Sequence, residues 1–219
     1  MAVFLWIKSK SGATPQIHTE RGNTMKKIII AMPVARYIET PCFMSIYNME
    51  KPKDCDVEFI TVDGYSVDVS RNALVGEALK EAADYIFWVD SDVIVPKNAL
   101  TRLLDAELDI VSGLYLTKHL TDKKTVALIR NEDDSYRKLP WDEIKDLEYV
   151  QVDAVGFGCV LVKTEVFKKL EMPFFVFTSK QGEDIHFCRK AINAGYKIVV
   201  DTKVLCGHIG VVNYNFKEE

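Results

Sequence analysis

Apolar residues in this chain fall into short blocks of two kinds, and the two kinds alternate. Lys27 to Met32 is an apolar run of strand length that stops at Pro33, the pattern of a strand covered on both faces. Thr40-Pro41 supplies an N-cap and a first-turn proline for a short helix carrying Phe43, Ile46 and Tyr47. Val57 to Val62 reads as a second strand, ending at Asp63-Gly64. Ser70 then caps a helix from Arg71 to about Ala83, with Leu74, Ala78 and Ala82 on one face. Tyr85 to Val89 is a third buried strand. Pro96 opens a helix with Leu100, Leu103 and Leu104, and a strand follows around Ile110 and Val111. This β-α-β-α-β-α-β order predicts an α/β domain whose central sheet is mostly parallel and flanked by helices.

The second half is less regular. Val126 to Ile129, Tyr149 to Val152 and Gly158 to Val162 are strand-like, and Thr164 to Leu170 is a short helix. Glu183 to Ala194 is a longer helix, with Ile185, Cys188 and Ile192 in register and Gly195 as its stop, and Lys197 to Val200 closes the regular part. These short strands predict a smaller antiparallel part in the C-terminal half. Residues 131–148 are polar and acid-rich around Trp141, which predicts either a lid over an acceptor or an exposed loop. Residues 1–24 differ in texture: a short apolar stretch precedes Lys8, Lys10 and Arg21, whereas an export signal has its basic residues first. They are expected to lie outside the fold, as a tag or an upstream start, with an edge strand from Val3 to Ile7 as the alternative. Residues 25–219 then form one domain, with no repeat or linker to divide it.

Composition narrows the class without touching the chemistry. With 48% hydrophobic and 27% charged residues over 219 positions, the chain is globular in character. No apolar run approaches the roughly 18–20 residues of a membrane span. A net charge of −4 gives no basic stripe and so no strong nucleic-acid signature. The five cysteines are scattered without a C-x-x-C, which points to a reduced, cytoplasmic chain.

Candidate chemistry gathers where the strands end. Asp90-Ser91-Asp92 follows the third strand directly, at the carboxyl edge where α/β proteins bind ligands. Side chains alternate along a strand, so Asp90 and Asp92 point the same way, and two close carboxylates need a cation. Oxygen ligands suit Mg²⁺ or Mn²⁺ shared with substrate phosphates. Asp63 ends the second strand at the same margin, Arg71 and Asn72 open a helix there, and Gly182-Glu183-Asp184 begins another. An acid pair in a first helical turn also serves the macrodipole without any further role. His208, in Cys206-Gly-His-Ile-Gly210, can add a nitrogen ligand beside Asp92. Lys118 and His119, beyond Gly113-Leu-Tyr115, are given no role in the site, and Trp88 is expected in the core.

As a set, these elements resemble the GT-A (Rossmann-like) glycosyltransferases, in particular small family-2-like members. The matching features are Ala31-Met-Pro33, Asp63, Ser70-Arg-Asn72, Asp90-Ser-Asp92, the Gly156-Phe-Gly158 loop, Gly182-Glu-Asp184 and His208, in that order. The common Pro-x-Tyr-Asn opening is replaced by Pro33-Val-Ala-Arg36. The resemblance implies a metal-dependent, hexosyltransferase-like enzyme, inverting in preference to retaining, with residues 25–113 binding nucleotide and 114–219 binding acceptor. It implies a nucleotide-sugar donor, a UDP-sugar in preference, and a glycan, lipid carrier, protein or modified base as acceptor. Asp90, Asp92 and His208 would hold Mn²⁺ or Mg²⁺, with Asp90 also reaching ribose. Pro33, Asp63 and Arg71 would contact the nucleotide. Asp184 would be the base, with Glu183 as its substitute. Two alternatives remain: a GT-A module that binds nucleotide sugar or glycan without turnover, and a haloacid-dehalogenase-type phosphohydrolase with Asp90 as nucleophile.

Overall fold

The computed structural model describes residues 25–118, 124–179 and 181–210. The segment 1–24 and His119 lie outside them. Strand β1 (Lys26–Val34) pairs in parallel with both β2 (Cys55–Asp63) and β3 (Tyr85–Val89), through the crossover helices α1 (Thr40–Tyr47) and α2 (Val67–Lys80). After β3 come β4 (Val93–Ile94), α3 (Ala99–Asp105) and β5 (Ile110–Leu114). The second half adds β6 (Lys124–Arg130), β7 (Tyr136–Pro140), α4 (Trp141–Ile144), β8 (Tyr149–Val152), β9 (Ala154–Val155) and β10 (Cys159–Lys163). It ends with α5 (Thr164–Lys169), α6 (Glu183–Asn193), β11 (Ile198–Leu205) and β12 (Gly207–His208). No helix among the described residues is long and apolar enough to cross a membrane.

The main sheet runs β2-β1-β3-β10-β5-β11-β8. It is mixed where the sequence predicts a mostly parallel sheet: β2, β1, β3, β5 and β11 run one way, and β10 and β8 run against them. β10 runs antiparallel between β3 and β5, and β8 is antiparallel to β11 at the far edge. A doubly buried strand reads as a continuous apolar run whichever way it points, so Cys159 to Val162 reveals its burial and hides its direction. The antiparallel part expected in the second half is there, both within this sheet and as the separate β7-β6-β9 sheet.

Alternation along β1 separates two hydrophobic layers. Ile29 and Ala31 join Leu74 and Ala78 of α2, Phe167 of α5 and Phe187 of α6 on one face. Ile28, Ile30 and Met32 join Cys42 and Ile46 of α1 and Leu100 and Leu103 of α3 on the other. Trp88 is fully buried in the first layer, as expected. Gly195 ends α6 with φ +90°, a conformation that glycine adopts without a Cβ penalty. Residues 131–148 are more ordered than an exposed loop: after an exposed turn at 131–135 they make β7 and α4, with Leu139 and Ile144 fully buried and Trp141 packed against the core.

The start of α2 lies earlier than the sequence indicates, at Val67, with Ser66 in the cap position. Either serine can cap a helix; Ser66 holds the position, though its hydroxyl donates to the Asp68 carboxylate and makes no capping bond to the backbone. Ser70 and Arg71 therefore fall inside the helix, and both are buried. One turn of the same helix also fixes a distant segment. The Asn72 amide nitrogen donates to the carbonyls of Asp68 and Phe175 at 2.8 and 2.7 Å, and its oxygen accepts from the backbone N–H groups of Phe174 and Phe175 at 2.8 and 3.2 Å. Replacing Asn72 by Ala strands these backbone groups, and about 2–4 kcal/mol of stability is expected to be lost. Urea unfolding measures this, and a loss below about 0.5 kcal/mol would show that the junction is not needed.

Candidate active site

A buried arginine organises the carboxyl edge of the sheet. Arg71 is only 2% exposed, and its guanidinium carbon lies 5.5 Å from the ring of Trp88, 5.4 Å from Phe157 and 5.8 Å from Phe175. Nη2 donates to Asp90 Oδ1 at 2.8 Å, and Nε donates to Glu183 Oε1 at 3.3 Å. Burial pulls the guanidinium pKa down, but Asp90 and then Glu183 outweigh it and the net shift is upward. The sequence places Arg71 at an open helix end near the nucleotide. In the fold it lies at the floor of the site, because α2 begins a turn earlier and directs this residue at the sheet.

The second aspartate of the motif has other partners. Asp92 Oδ2 accepts a short hydrogen bond from the Lys118 ammonium. Pairing of β12 with β4 sets His208 opposite Val93, and the N–H of Ile209 donates to the Asp92 carbonyl at 2.9 Å. His208 Nδ1 lies 2.8 Å from the Leu116 carbonyl, which can only accept, so Nδ1 carries the proton. In the neutral ring the lone pair is then at Nε2, 3.7 Å from Asp92 Oδ1. That distance is too long for a hydrogen bond and leaves two electron-pair donors facing each other.

Tyr115 supports this arrangement from below. Its ring meets His208 edge-on at 5.0 Å, and its hydroxyl accepts from the Gly158 N–H at 2.9 Å. A Cβ on Gly158 would come within 2.7 Å of that hydroxyl and 2.8 Å of Val93, so the loop tolerates only glycine here. Burial, and secondarily Asp90, pushes the Tyr115 hydroxyl pKa well up, so it stays protonated.

The expected metal set is only partly assembled. Asp92 and His208 come together, while Asp90 gives one oxygen to Arg71, and among the described residues no three His, Cys, Asp or Glu side chains converge. The Asp92–His208 pair itself fits a divalent cation: a carboxylate oxygen faces an imidazole lone pair whose ring is oriented by a backbone carbonyl. The two acids of α6 part company. Glu183 is 7% exposed and held by Arg71. Asp184 is half-buried, accepts the Ile185 N–H at 2.7 Å, and has its pKa pushed up to about 6 by burial and by Glu183. Arg71 opposes that rise and Asp90 adds to it, with Tyr115 and Cys188 also close by.

A cavity of about 260 Å³ opens above Arg71, lined by Pro33, Tyr65, Ser70, Asp90, Asp92 and Glu183 among others. A neighbouring hollow of about 210 Å³ shares Ala35, Ser91 and Asp92 with it and adds Arg36, Tyr37 and Lys118. Asp63 is exposed opposite Val34 at the strand end and does not line either space. Tyr65 escapes the sequence reading, although an exposed aromatic two positions past Asp63 is a spacing that could have flagged it. Ser70, named there as a cap and in the motif match, is buried with its hydroxyl unpartnered, and Lys118, left without a role there, meets Asp92 from 26 positions away.

No family model and no curated protein matches the chain. Solved structures do. The crystal structure of A197 from STIV matches with a TM-score of 0.64 at 18% identity, over 85% of this chain and 87% of that one. GalNAc-T7, crystallised with UDP, GalNAc and Mn²⁺, matches with a TM-score of 0.59 at 12% identity. That match covers 86% of this chain and 44% of the GalNAc-T7 chain. The fold is GT-A-like. At these identities the likeness is one of fold, and the chemistry rests on this chain's own residues.

Removing the Arg71 charge leaves the buried Glu183 and the half-buried Asp90 uncompensated. Arg71→Met is expected to cost about 3–5 kcal/mol in chemical denaturation, with part regained on adding Glu183→Gln. A loss under about 1 kcal/mol, or no recovery in the double variant, would contradict this role.

Proposed function

We propose that this chain is a glycosyltransferase that moves a sugar from a nucleotide-diphosphate sugar, a UDP-sugar in preference, to an acceptor hydroxyl. The observation that carries the reading is that Asp92, which lines the strand-end cavity, faces the His208 lone pair. These two residues would hold Mn²⁺ or Mg²⁺. Bound there, the ion would supply positive charge to the diphosphate and stabilise the leaving group.

The remaining roles belong to protein groups. The cavity wall at Pro33 and the exposed ring of Tyr65 receive the base, while Asp63, outside the lining, reaches it only from the neighbouring strand end. Asp90, its direction fixed by Arg71, is turned to ribose or to the ion's water. Residues 25–113 thus bind nucleotide, and residues 114–219 carry the acceptor side. A glycan, a lipid carrier, a protein or a modified base all offer a hydroxyl of the required kind. Asp184 takes the acceptor proton, and this supports inversion in preference to retention. Glu183, neutralising Arg71, is a poor substitute for it. The Arg71 salt bridge also draws electron density from the carboxylate that a phosphohydrolase would use as nucleophile, which favours transfer.

Asp92→Ala is expected to abolish metal-dependent UDP release across a panel of UDP-sugars. Tight donor binding with no turnover in the parent protein would instead favour a binding module. A base must be unprotonated, so transfer is expected to rise with pH through about 6 and then level off. Asp184→Asn should cost roughly 100-fold or more in transfer while leaving donor binding intact. Near-normal transfer in that variant would remove Asp184 from this role.

A further inference from the structure

Asp90 and Asp92 lie in the turn that follows β3, and each has a cation of its own. Asp90 has Arg71, which is 2% exposed, planar and enclosed by three aromatic rings. Asp92 has Lys118, whose side chain is 43% exposed on a flexible four-carbon stem. The two pairs differ in permanence. A guanidinium buried in a fixed fork cannot leave without stranding its partners. An exposed lysine–carboxylate pair contributes little and exchanges readily.

Lys118 and His208 face opposite oxygens of one carboxylate. The ammonium sits on Asp92 Oδ2, and His208 Nε2 faces Oδ1. A divalent ion entering between Asp92 and His208 would meet the lysine charge across a single carboxyl group, and like charges at that separation repel. Lys118 also lines the hollow that contains Arg36, Ser91 and Asp92. A displaced ammonium therefore has a place to go next to the motif, in a hollow that carries both Arg36 and Glu39.

We propose that Lys118 is an exchangeable internal cation for Asp92: it competes with the divalent ion, and on displacement it turns to the diphosphate of the donor in the hollow shared with Arg36. This rests on the assignment of Asp92 and His208 as the ion's ligands. The exchange gives the chain a means of coupling ion entry to donor entry. Lys118 opposes the ion when it comes alone, and a diphosphate offers the lysine a new anion when both arrive together.

The test uses the full chain, Mn²⁺ titrated by electron paramagnetic resonance, and UDP titrated calorimetrically at saturating Mn²⁺. Lys118→Met should bind Mn²⁺ about three- to tenfold more tightly than the parent, yet bind UDP about threefold or more weakly in its presence. Lys118→Arg, which keeps the charge, should stay near the parent in the first titration. Effects of opposite sign are not what simple loss of a surface ion pair produces. If Asp92→Asn abolishes Mn²⁺ binding while Lys118→Met matches the parent in either titration, the exchange is overturned and the ion site stands. If neither the parent nor Lys118→Met binds Mn²⁺, the ion site falls and the exchange falls with it.

Discussion

A positive charge sealed inside the protein governs how this fold presents its chemistry. Placing the Arg71 guanidinium out of water is costly unless its charge is matched and its N–H groups have acceptors. Asp90 and Glu183 match it, and the faces of Trp88, Phe157 and Phe175 surround it. The residues involved come from α2, β3, the 156–158 loop, the segment after α5, and α6. None can shift far without exposing an unpaired charge. The direction of Asp90 and the start of α6 are therefore set by one requirement. The same requirement separates adjacent acids, since Glu183 balances the arginine while Asp184, more proton-loving through burial, does not.

Much of the fold was legible in the sequence because burial leaves a pattern. Tyr85 to Val89 is apolar at every position and forms β3 with those bounds. Glu183 begins α6, and Gly195 follows its end at positive φ. What periodicity does not encode is direction and pairing. β10 looks like any buried strand and runs against both of its neighbours. The two serines near the start of α2 are chemically equivalent as caps, so the sequence puts Arg71 at the helix start where the fold puts it inside the helix and buried. The acid-rich 131–148 stretch conceals Leu139 and Ile144, whose burial anchors β7 and α4.

The site was legible in its composition and less so in its pairings. Asp90, Asp92, Glu183, Asp184 and His208 do meet at one sheet edge, as strand-end and helix-start positions indicate. Their partners could not be read, because Arg71 reaches Glu183 across 112 positions and His208 reaches Leu116 across 92. The expected three-residue metal set gives way to a carboxylate–imidazole pair, with the other aspartate bound to arginine. Carboxylates close together led the sequence reading to a divalent cation, whereas the partners present here are side chains, Arg71 on Asp90 and Lys118 on Asp92. One is fixed and one is at the surface.

The most direct test is a crystal of the full chain grown with UDP and Mn²⁺, with anomalous scattering measured at the manganese edge. The predicted result is one strong peak within bonding distance of Asp92 and His208 Nε2, touching the diphosphate, with the base in the cavity beside Pro33 and Tyr65. A nucleotide bound elsewhere, or a manganese peak away from Asp92 and His208, would contradict it.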